Sequence, residues 1–165
     1  MRNKFKEVVA ILFPDEDTQI KNKGENAIEK VKRALSKNDV VSASSYIEGA
    51  AALANKNKND QIALDQLCDI AQMYTDMKSF GTAFETYNLA ANRLENAENN
   101  EEFFHGLMAL NASLEKSFIS SEMIDIDGNK QAATQLSNDI KDLYNAKLEE
   151  VKTRFENANS APHNE

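Results

Sequence analysis

The sequence predicts an all-α protein of about seven helices stacked as antiparallel pairs. Gly (5) and Pro (2) are scarce among the 165 residues, so few turns interrupt the chain. Apolar residues recur at intervals of three and four along most of the chain, as on one face of a helix. The polar breaks between these periodic segments are short, and short connections favour consecutive helices that pack as hairpins.

The predicted helices follow from this periodicity and from polar residues that can cap helix ends. They cover about 3–13, 25–36, 40–55, 61–77, 80–97, 101–121 and 130–157. Pro14 ends the first helix, and residues 15–24 form a polar connection that ends at Gly24. The candidate caps of the later helices are Asn38 or Asp39, Asp60, Ser79, Asn100 and Asn129.

We expect these helices to form a single domain over residues 1–157. It comprises an N-terminal helix (1–14), repeat-like hairpins (25–97) and a C-terminal helix pair (101–157), followed by a flexible tail at 158–165. No apolar run is long enough to cross a bilayer, so no membrane association is expected. The single cysteine, Cys68, cannot form an internal disulfide, which favours the reducing cytoplasm.

The charge is unevenly distributed. The net charge is −8, and residues 41–165 carry 10 basic and 20 acidic side chains. Such an acidic body repels phosphate, so direct nucleic-acid binding is not expected. It is compatible with simple solubility or with a basic protein or peptide partner. A basic stretch in the N-terminal part is either a solvated helix face or a contact site for an acidic surface, for example that of a second copy: Lys21, Lys23, Lys30, Lys32, Arg33 and Lys37.

The motifs that could carry chemistry are weak. Residues 125–129 resemble the start of a calcium loop, but Lys130 stands where such a loop needs Gly and Leu136 where it needs Glu. We interpret Asp127-Gly128 as a turn before a helix capped by Asn129. His105 lies beside an apolar face and is expected to be a partly buried structural residue without a metal-ligating neighbour. No enzyme activity, metal or cofactor is therefore expected.

One segment, residues 64–97, has a more specific pattern. Its first helix carries large, large, small and large residues, and its second carries small and aromatic residues at matching intervals. The first set is Leu67, Ile70, Ala71 and Tyr74, and the second is Phe80, Ala83, Tyr87 and Ala90. The small residues allow two helices to approach closely, while the aromatic rings fill the space beside them. This segment resembles the tetratricopeptide repeat, a 34-residue helix–turn–helix unit.

A weaker copy of the pattern lies at about 24–57. Ala34, Val40, Ala43, Ile47 and Ala50 have the spacing of Tyr74, Phe80, Ala83, Tyr87 and Ala90. The first helix of this copy departs from the pattern, because Lys30 falls where Ile70 would be. The two segments cover under half of the chain, and the alternative is an irregular helical bundle in which Ala-rich helices match by chance.

The resemblance implies that the first helix of each repeat lines a groove that holds a peptide. The exposed positions that match this groove in residues 64–97 are Asp65, Cys68, Gln72, Thr75 and Asp76. Their carboxylates and carboxamide favour a basic or polar peptide. The corresponding positions of the weaker copy are Glu25, Ile28, Lys32, Leu35 and Ser36.

The expected function is therefore protein binding without bond-making chemistry, as an adaptor, chaperone or assembly factor. Two alternatives stay open. The chain could be a structural subunit of a larger assembly, such as a viral one, with its groove filled by another copy of itself as a homo-oligomer. It could also be an acidic inhibitor that mimics nucleic acid.

Overall fold

Six helices make up most of the structure, a computed structural model that describes residues 14–119 and 127–160. They are α1 (Glu16–Ser36), α2 (Val40–Lys56), α3 (Asp60–Asp76), α4 (Phe80–Ala91), α5 (Glu101–Leu114) and α6 (Asp127–Ser160). A short 3-10 helix at Leu94–Asn96 follows α4, and a π-helical turn at Glu115–Ile119 follows α5. The described residues contain no strand, which confirms the predicted all-α class. The helix predicted within residues 1–14 lies outside the described residues, apart from Pro14.

The helices pack in consecutive pairs: α1 with α2, α3 with α4 and α5 with α6. The pairs stack on one another, because α3 contacts α2 and α1 on one side and α5 on the other. One hydrophobic core runs through all three pairs, from Ile28 in α1 to Val151 in α6. Burial of this continuous apolar surface is the main driving force for the fold. The odd-numbered helices α1, α3 and α5 therefore lie side by side.

The first helix is longer than predicted. The segment 15–24 is helical rather than a polar connection, and α1 begins after Asp15, whose side chain accepts a hydrogen bond from the Thr18 backbone N–H at 2.7 Å. Gly24 does not end a helix here. It is buried inside α1, and a Cβ at this position would lie 2.8 Å from Oε1 of Gln66 in α3. The glycine thus serves the close approach of two helices rather than a turn.

The turns inside the first two pairs have the same geometry. Asn38 and Lys78, 40 positions apart, have positive φ angles of 57° and 60°. The N–H of the next residue in each turn, Asp39 or Ser79, donates to the carbonyl oxygen five residues earlier at 2.9 Å. This bond pattern is the Schellman ending of a helix. Two turns 40 residues apart therefore have the same backbone geometry.

The helix starts of the second pair differ in detail from the prediction. Asn59, not Asp60, caps α3 by accepting a hydrogen bond from Ile62 N–H at 3.1 Å. Asp60 instead accepts from Arg93 Nη1 at 2.8 Å. Ser79 precedes α4 as predicted, but its side chain makes no capping bond. Arg93 lies just beyond α4 and ties the end of this pair back to the loop that precedes α3.

The C-terminal pair also departs from the predicted helix ends. The predicted helix 101–121 is divided into α5 and the π-helical turn, and residues 120–126 lie outside the described part. The turn predicted at Asp127-Gly128, with Asn129 as a cap, is wrong because α6 already begins at Asp127. At its other end α6 continues to Ser160, past the predicted end at 157. The remainder of the predicted tail, 161–165, is outside the described residues.

Candidate functional site

The exposed face of α1, α3 and α5 carries two neighbouring grooves. The α1–α3 groove has a volume of about 500 Å³ and is lined by Lys21, Glu25, Ile28, Glu29, Lys32, Ile62, Asp65, Gln66 and Asp69. The α3–α5 groove has a volume of about 320 Å³ and is lined by Cys68, Asp69, Gln72, Tyr87, Glu102, His105, Gly106 and Ala109. Asp69 borders both grooves. Together they form a mainly acidic surface across three helices.

Three of the five predicted site residues lie where a partner could reach them. Asp65 is exposed in the α1–α3 groove, and Gln72 is half-buried in the α3–α5 groove. Asp76 is exposed one turn beyond Gln72 and accepts a hydrogen bond from Gln72 Nε2 at 3.0 Å. The spacing of these residues along α3 is the reason that they share a face.

The other two predicted site residues are buried, so the expectation that they are exposed is wrong. Thr75 is 3% exposed, and its hydroxyl donates to the Ala71 carbonyl oxygen at 2.9 Å. Cys68 is 4% exposed, although it lies at the border of the α3–α5 groove. Burial raises the pKa of the Cys68 thiol far above its usual range, so the reactive thiolate is suppressed. Both side chains are buried on a helix that has neighbours on several sides.

The weaker copy contributes part of its predicted set. Glu25, Ile28 and Lys32 line the α1–α3 groove, as their predicted positions require. Leu35 is instead half-buried against the core, and Ser36 donates its hydroxyl to the Arg33 carbonyl oxygen at the end of α1. The groove therefore ends before the last turn of α1.

Several groove residues were not predicted as site residues, among them Asp69, Glu102, His105 and Tyr87. Asp69 could have been found, because it lies one helical turn after Asp65. Glu102 could not have been found, since nothing in the sequence places the first turn of α5 beside the middle of α3. The expectation for His105 is wrong, because it is exposed at the groove rather than partly buried.

Tyr87 was correctly predicted as a residue that fills the space between helices, and it is 1% exposed. Its ring packs edge to face against Phe103 with centroids 6.1 Å apart. The phenol end lies over Gly106, where a Cβ would come within 2.7 Å of Tyr87 Cζ. Because Gly106 has no side chain, the hydroxyl of a core tyrosine reaches the floor of the α3–α5 groove. The isolated glycine inside α5 was the only signal for this arrangement in the sequence.

The carboxylates of this face are not fully compensated by cations. Partial burial raises the pKa of Asp69, and nearby Asp65 raises it further, while Lys32 opposes the shift. Burial likewise raises the pKa of Glu102, with additional repulsion from Asp69 and Asp65. The Lys32 ammonium is 4.0 Å from Asp69 and half-exposed, which makes it a weak partner. An external cation would relieve this repulsion.

The described residues offer little else for chemistry. Within 14–119 and 127–160, no group of three or more His, Cys, Asp and Glu side chains is arranged to hold a metal ion. A helix with the length and apolar character required to cross a membrane is not found in these ranges either.

A third groove, between α5 and α6, is apolar and has a volume of about 320 Å³. Its edge is Met108, which is 58% exposed. The lysine that lines it, Lys141, is already 3.7 Å from Glu115. The Ser137 hydroxyl on α6 donates a hydrogen bond to Asn111 Oδ1 on α5 at 2.7 Å. This groove therefore has no uncompensated charge to specify a ligand.

Comparison of the chain with protein-family models, with curated proteins and with solved structures gave no match.

Proposed function

We propose that this chain is a non-enzymatic protein-binding module, an adaptor, chaperone or assembly factor, that holds a partner's segment along the face of α1, α3 and α5. The observation that carries the proposal is the pair of adjacent grooves with uncompensated carboxylates on α3 and α5. A partner segment that is basic would gain Coulomb attraction from Asp65, Asp69 and Glu102 together. The net charge of −8 would also speed its association.

The proposal includes the tetratricopeptide-like character of the first two pairs. It is supported by the shared turn geometry at Asn38 and Lys78 and by small residues buried at equivalent places in α2 and α4. Ala43 and Ala83, like Ala50 and Ala90, are fully buried at the 40-residue offset. We also propose a cytoplasmic location, since Cys68 is a free, buried thiol.

Selection from a phage-displayed library of random dodecapeptides tests the proposal. The purified chain should enrich peptides that contain Lys and Arg, and their binding should weaken at high salt. A groove variant carries Asp65→Lys, Asp69→Lys and Glu102→Lys. A matched control carries Glu85→Lys, Asp142→Lys and Glu156→Lys, which changes the net charge equally at exposed positions of α4 and α6.

Circular dichroism first establishes that both variants keep the helicity of the original chain. We then expect the selected peptides to bind the control and to lose at least tenfold in affinity for the groove variant. Failure to enrich any peptide, or equal loss in both variants, would contradict a groove on this face.

Self-association is the competing role, and it is favoured by one observation. The exposed basic side chains of α1, including Lys30 and Arg33, are complementary to the acidic face of a second copy. Sedimentation velocity at low salt over a range of concentrations distinguishes the two roles. A monomer at all concentrations favours an external partner, whereas dimerisation abolished in the groove variant favours pairing between copies.

A further inference from the structure

The floor of the α3–α5 groove contains a polar group without a partner. The Tyr87 side chain is almost completely buried, yet its hydroxyl makes no hydrogen bond to any residue in the described ranges. The hydroxyl oxygen is not fully enclosed, because among the described residues the fully buried side-chain polar atoms without a partner are Asn57 Nδ2 and Gln66 Oε1. The groove therefore gives solvent or a ligand access to it. The groove opens directly above this hydroxyl, where Gly106 contributes no side chain. A ligand group in the groove would replace this solvent with a direct hydrogen bond to the hydroxyl.

Two carboxylates on the rim of the same groove favour a ligand group with a positive charge. Asp69 on α3 and Glu102 on α5 flank the groove from opposite sides. Asp69 is close enough to raise the pKa of Glu102, and both carboxylates are close enough to raise the pKa of Tyr87, on which burial has the larger effect. Gln72 adds an amide on the same border, although its N–H group already donates to Asp76. Two carboxylates above a tyrosine hydroxyl make three oxygen acceptors around one small space.

We infer that the α3–α5 groove is a specificity subsite that takes one lysine side chain of the partner segment. An ammonium group has three donors that point in different directions, which suits acceptors on the two walls and the floor. A guanidinium group is planar and favours a coplanar pair of acceptors, so arginine fits this arrangement less well. The volume of about 320 Å³ is at the lower end for ligand pockets and suits a single side chain.

This inference depends on the proposed function, because the lysine belongs to a bound protein segment. It adds that three side chains recognise one residue of that segment: Asp69, Glu102 and Tyr87. Asp65 lies in the α1–α3 groove and contributes general attraction rather than this selectivity.

The test uses small probes and does not require the natural partner. The probes are N-acetyl-lysine N-methylamide, the arginine equivalent and the uncharged norleucine equivalent. Nuclear magnetic resonance of the full chain labelled with 13Cζ-tyrosine and 15N-glycine follows Tyr87 and Gly106 directly. We expect the lysine probe to shift both signals saturably, with the arginine probe binding more weakly and the norleucine probe not binding.

Single substitutions then separate the three acceptors. Tyr87→Phe keeps the ring that packs on Phe103 and removes the hydroxyl, and we expect it to weaken lysine binding about fivefold to tenfold, followed at Gly106. Glu102→Gln and Asp69→Asn should each weaken it about tenfold. The matched control is Glu101→Gln, which removes the neighbouring exposed carboxylate outside the groove and should change affinity by less than about twofold.

Three results would overturn the subsite. They are equal binding of the norleucine probe, tighter binding of the arginine probe, or full lysine affinity in Tyr87→Phe. Equal weakening by Glu101→Gln would likewise reduce the effect to general charge. If the lysine subsite fails in this way while selected peptides still bind the face of α1, α3 and α5, the protein-binding role stands without it.

Discussion

The first and second helical pairs have the same turn geometry, but the side chains of their first helices, α1 and α3, differ in burial. The positive φ angles at Asn38 and Lys78 and the matching carbonyl bonds repeat after 40 residues. In α3, however, Leu67 and Ile70 are fully buried, whereas the corresponding positions in α1 are the half-buried Ala27 and the exposed Lys30. The turn geometry is therefore independent of how strongly the preceding helix is buried.

The position of each pair in the stack explains the difference. The helix α3 has close contacts with α1, α2, α4 and α5, whereas the main contacts of α1 among the described helices are with α2 and α3. The same contrast occurs at the start of the second helices, since Phe80 is buried against Phe118 and the corresponding Val40 is 54% exposed. Matching backbone positions therefore carry different side chains because their surroundings in the stack differ.

The largest expected effect contrasts the equivalent positions Ile70 and Lys30. Ile70→Ala removes a fully buried side chain between helices and should lower the free energy of unfolding by about 3–4 kcal/mol. Lys30→Ala changes an exposed side chain and should alter it by less than about 0.5 kcal/mol. Urea unfolding followed by circular dichroism measures both. Similar effects of the two substitutions would mean that the pairs are equally buried, against the packing described above.

A second prediction concerns Arg93, which anchors the second pair and has no charged counterpart in the first, where Leu53 holds the same place. The Arg93 guanidinium donates to the carbonyl oxygens of Asn57 and Asn55 and to Asp60. Arg93→Met should cost about 2 kcal/mol, because the half-buried acceptors lose a charged donor. The matched control is Arg33→Met at the exposed end of α1.

Acid titration sharpens this test. The hydrogen bonds from Arg93 and Asn96 hold the pKa of Asp60 below its ordinary value of 3.8. The stabilisation by this pair is therefore present at neutral pH and is lost as the pH falls below about 4. Thermal unfolding should show the difference between the original chain and Arg93→Met shrinking in acid. A difference that is constant with pH would mean that the ion pair contributes nothing.

The helical hairpins could be predicted because their signals are local. Ala43 and Ala83 are spaced for close helix packing, and Asp39 caps α2 by accepting from Ser42 N–H at 3.0 Å, as predicted. Gly24 gave a misleading signal. A glycine normally favours a helix end, and only its contact with Gln66, 42 positions later, explains why it lies inside α1.

The site was less predictable, because it is assembled from separate helices. The period of α3 placed Asp65 and Gln72 on one face, but it could not show that Thr75 and Cys68 are buried in the folded chain. The approach of Glu102 and Tyr87 to α3 depends on the stacking of the third pair on the second. Local periodicity contains no information on that stacking, so these residues were missed.

A smaller effect is expected at the two equivalent turns. Lys78→Gly should raise the free energy of unfolding by about 0.5–1 kcal/mol, because a positive φ angle strains a side chain with a Cβ. Asn38→Gly should gain less, since asparagine tolerates this conformation better than lysine does. Differential scanning calorimetry of the two variants tests the shared geometry, and a loss of stability in both would show that these turns do not require positive φ angles.

The smallest expected effect is a gain in stability when the groove loses a carboxylate. Because the pKa of Asp69 is raised, the folded state binds its proton more tightly than the unfolded state does, and stability falls as the pH rises from about 3.8 through the folded pKa. Asp69→Asn should therefore unfold at a slightly higher temperature than the original chain at neutral pH, with the difference vanishing in acid. The weak ion pair with Lys32 reduces the gain without reversing it. The control Glu85→Gln removes one exposed charge from α4, at a position that lines neither acidic groove. An equal gain in the control would assign the effect to net charge. A gain confined to Asp69→Asn would show that repulsion between the groove carboxylates lowers the stability of the fold. Such a cost is expected of a surface that binds a cationic partner.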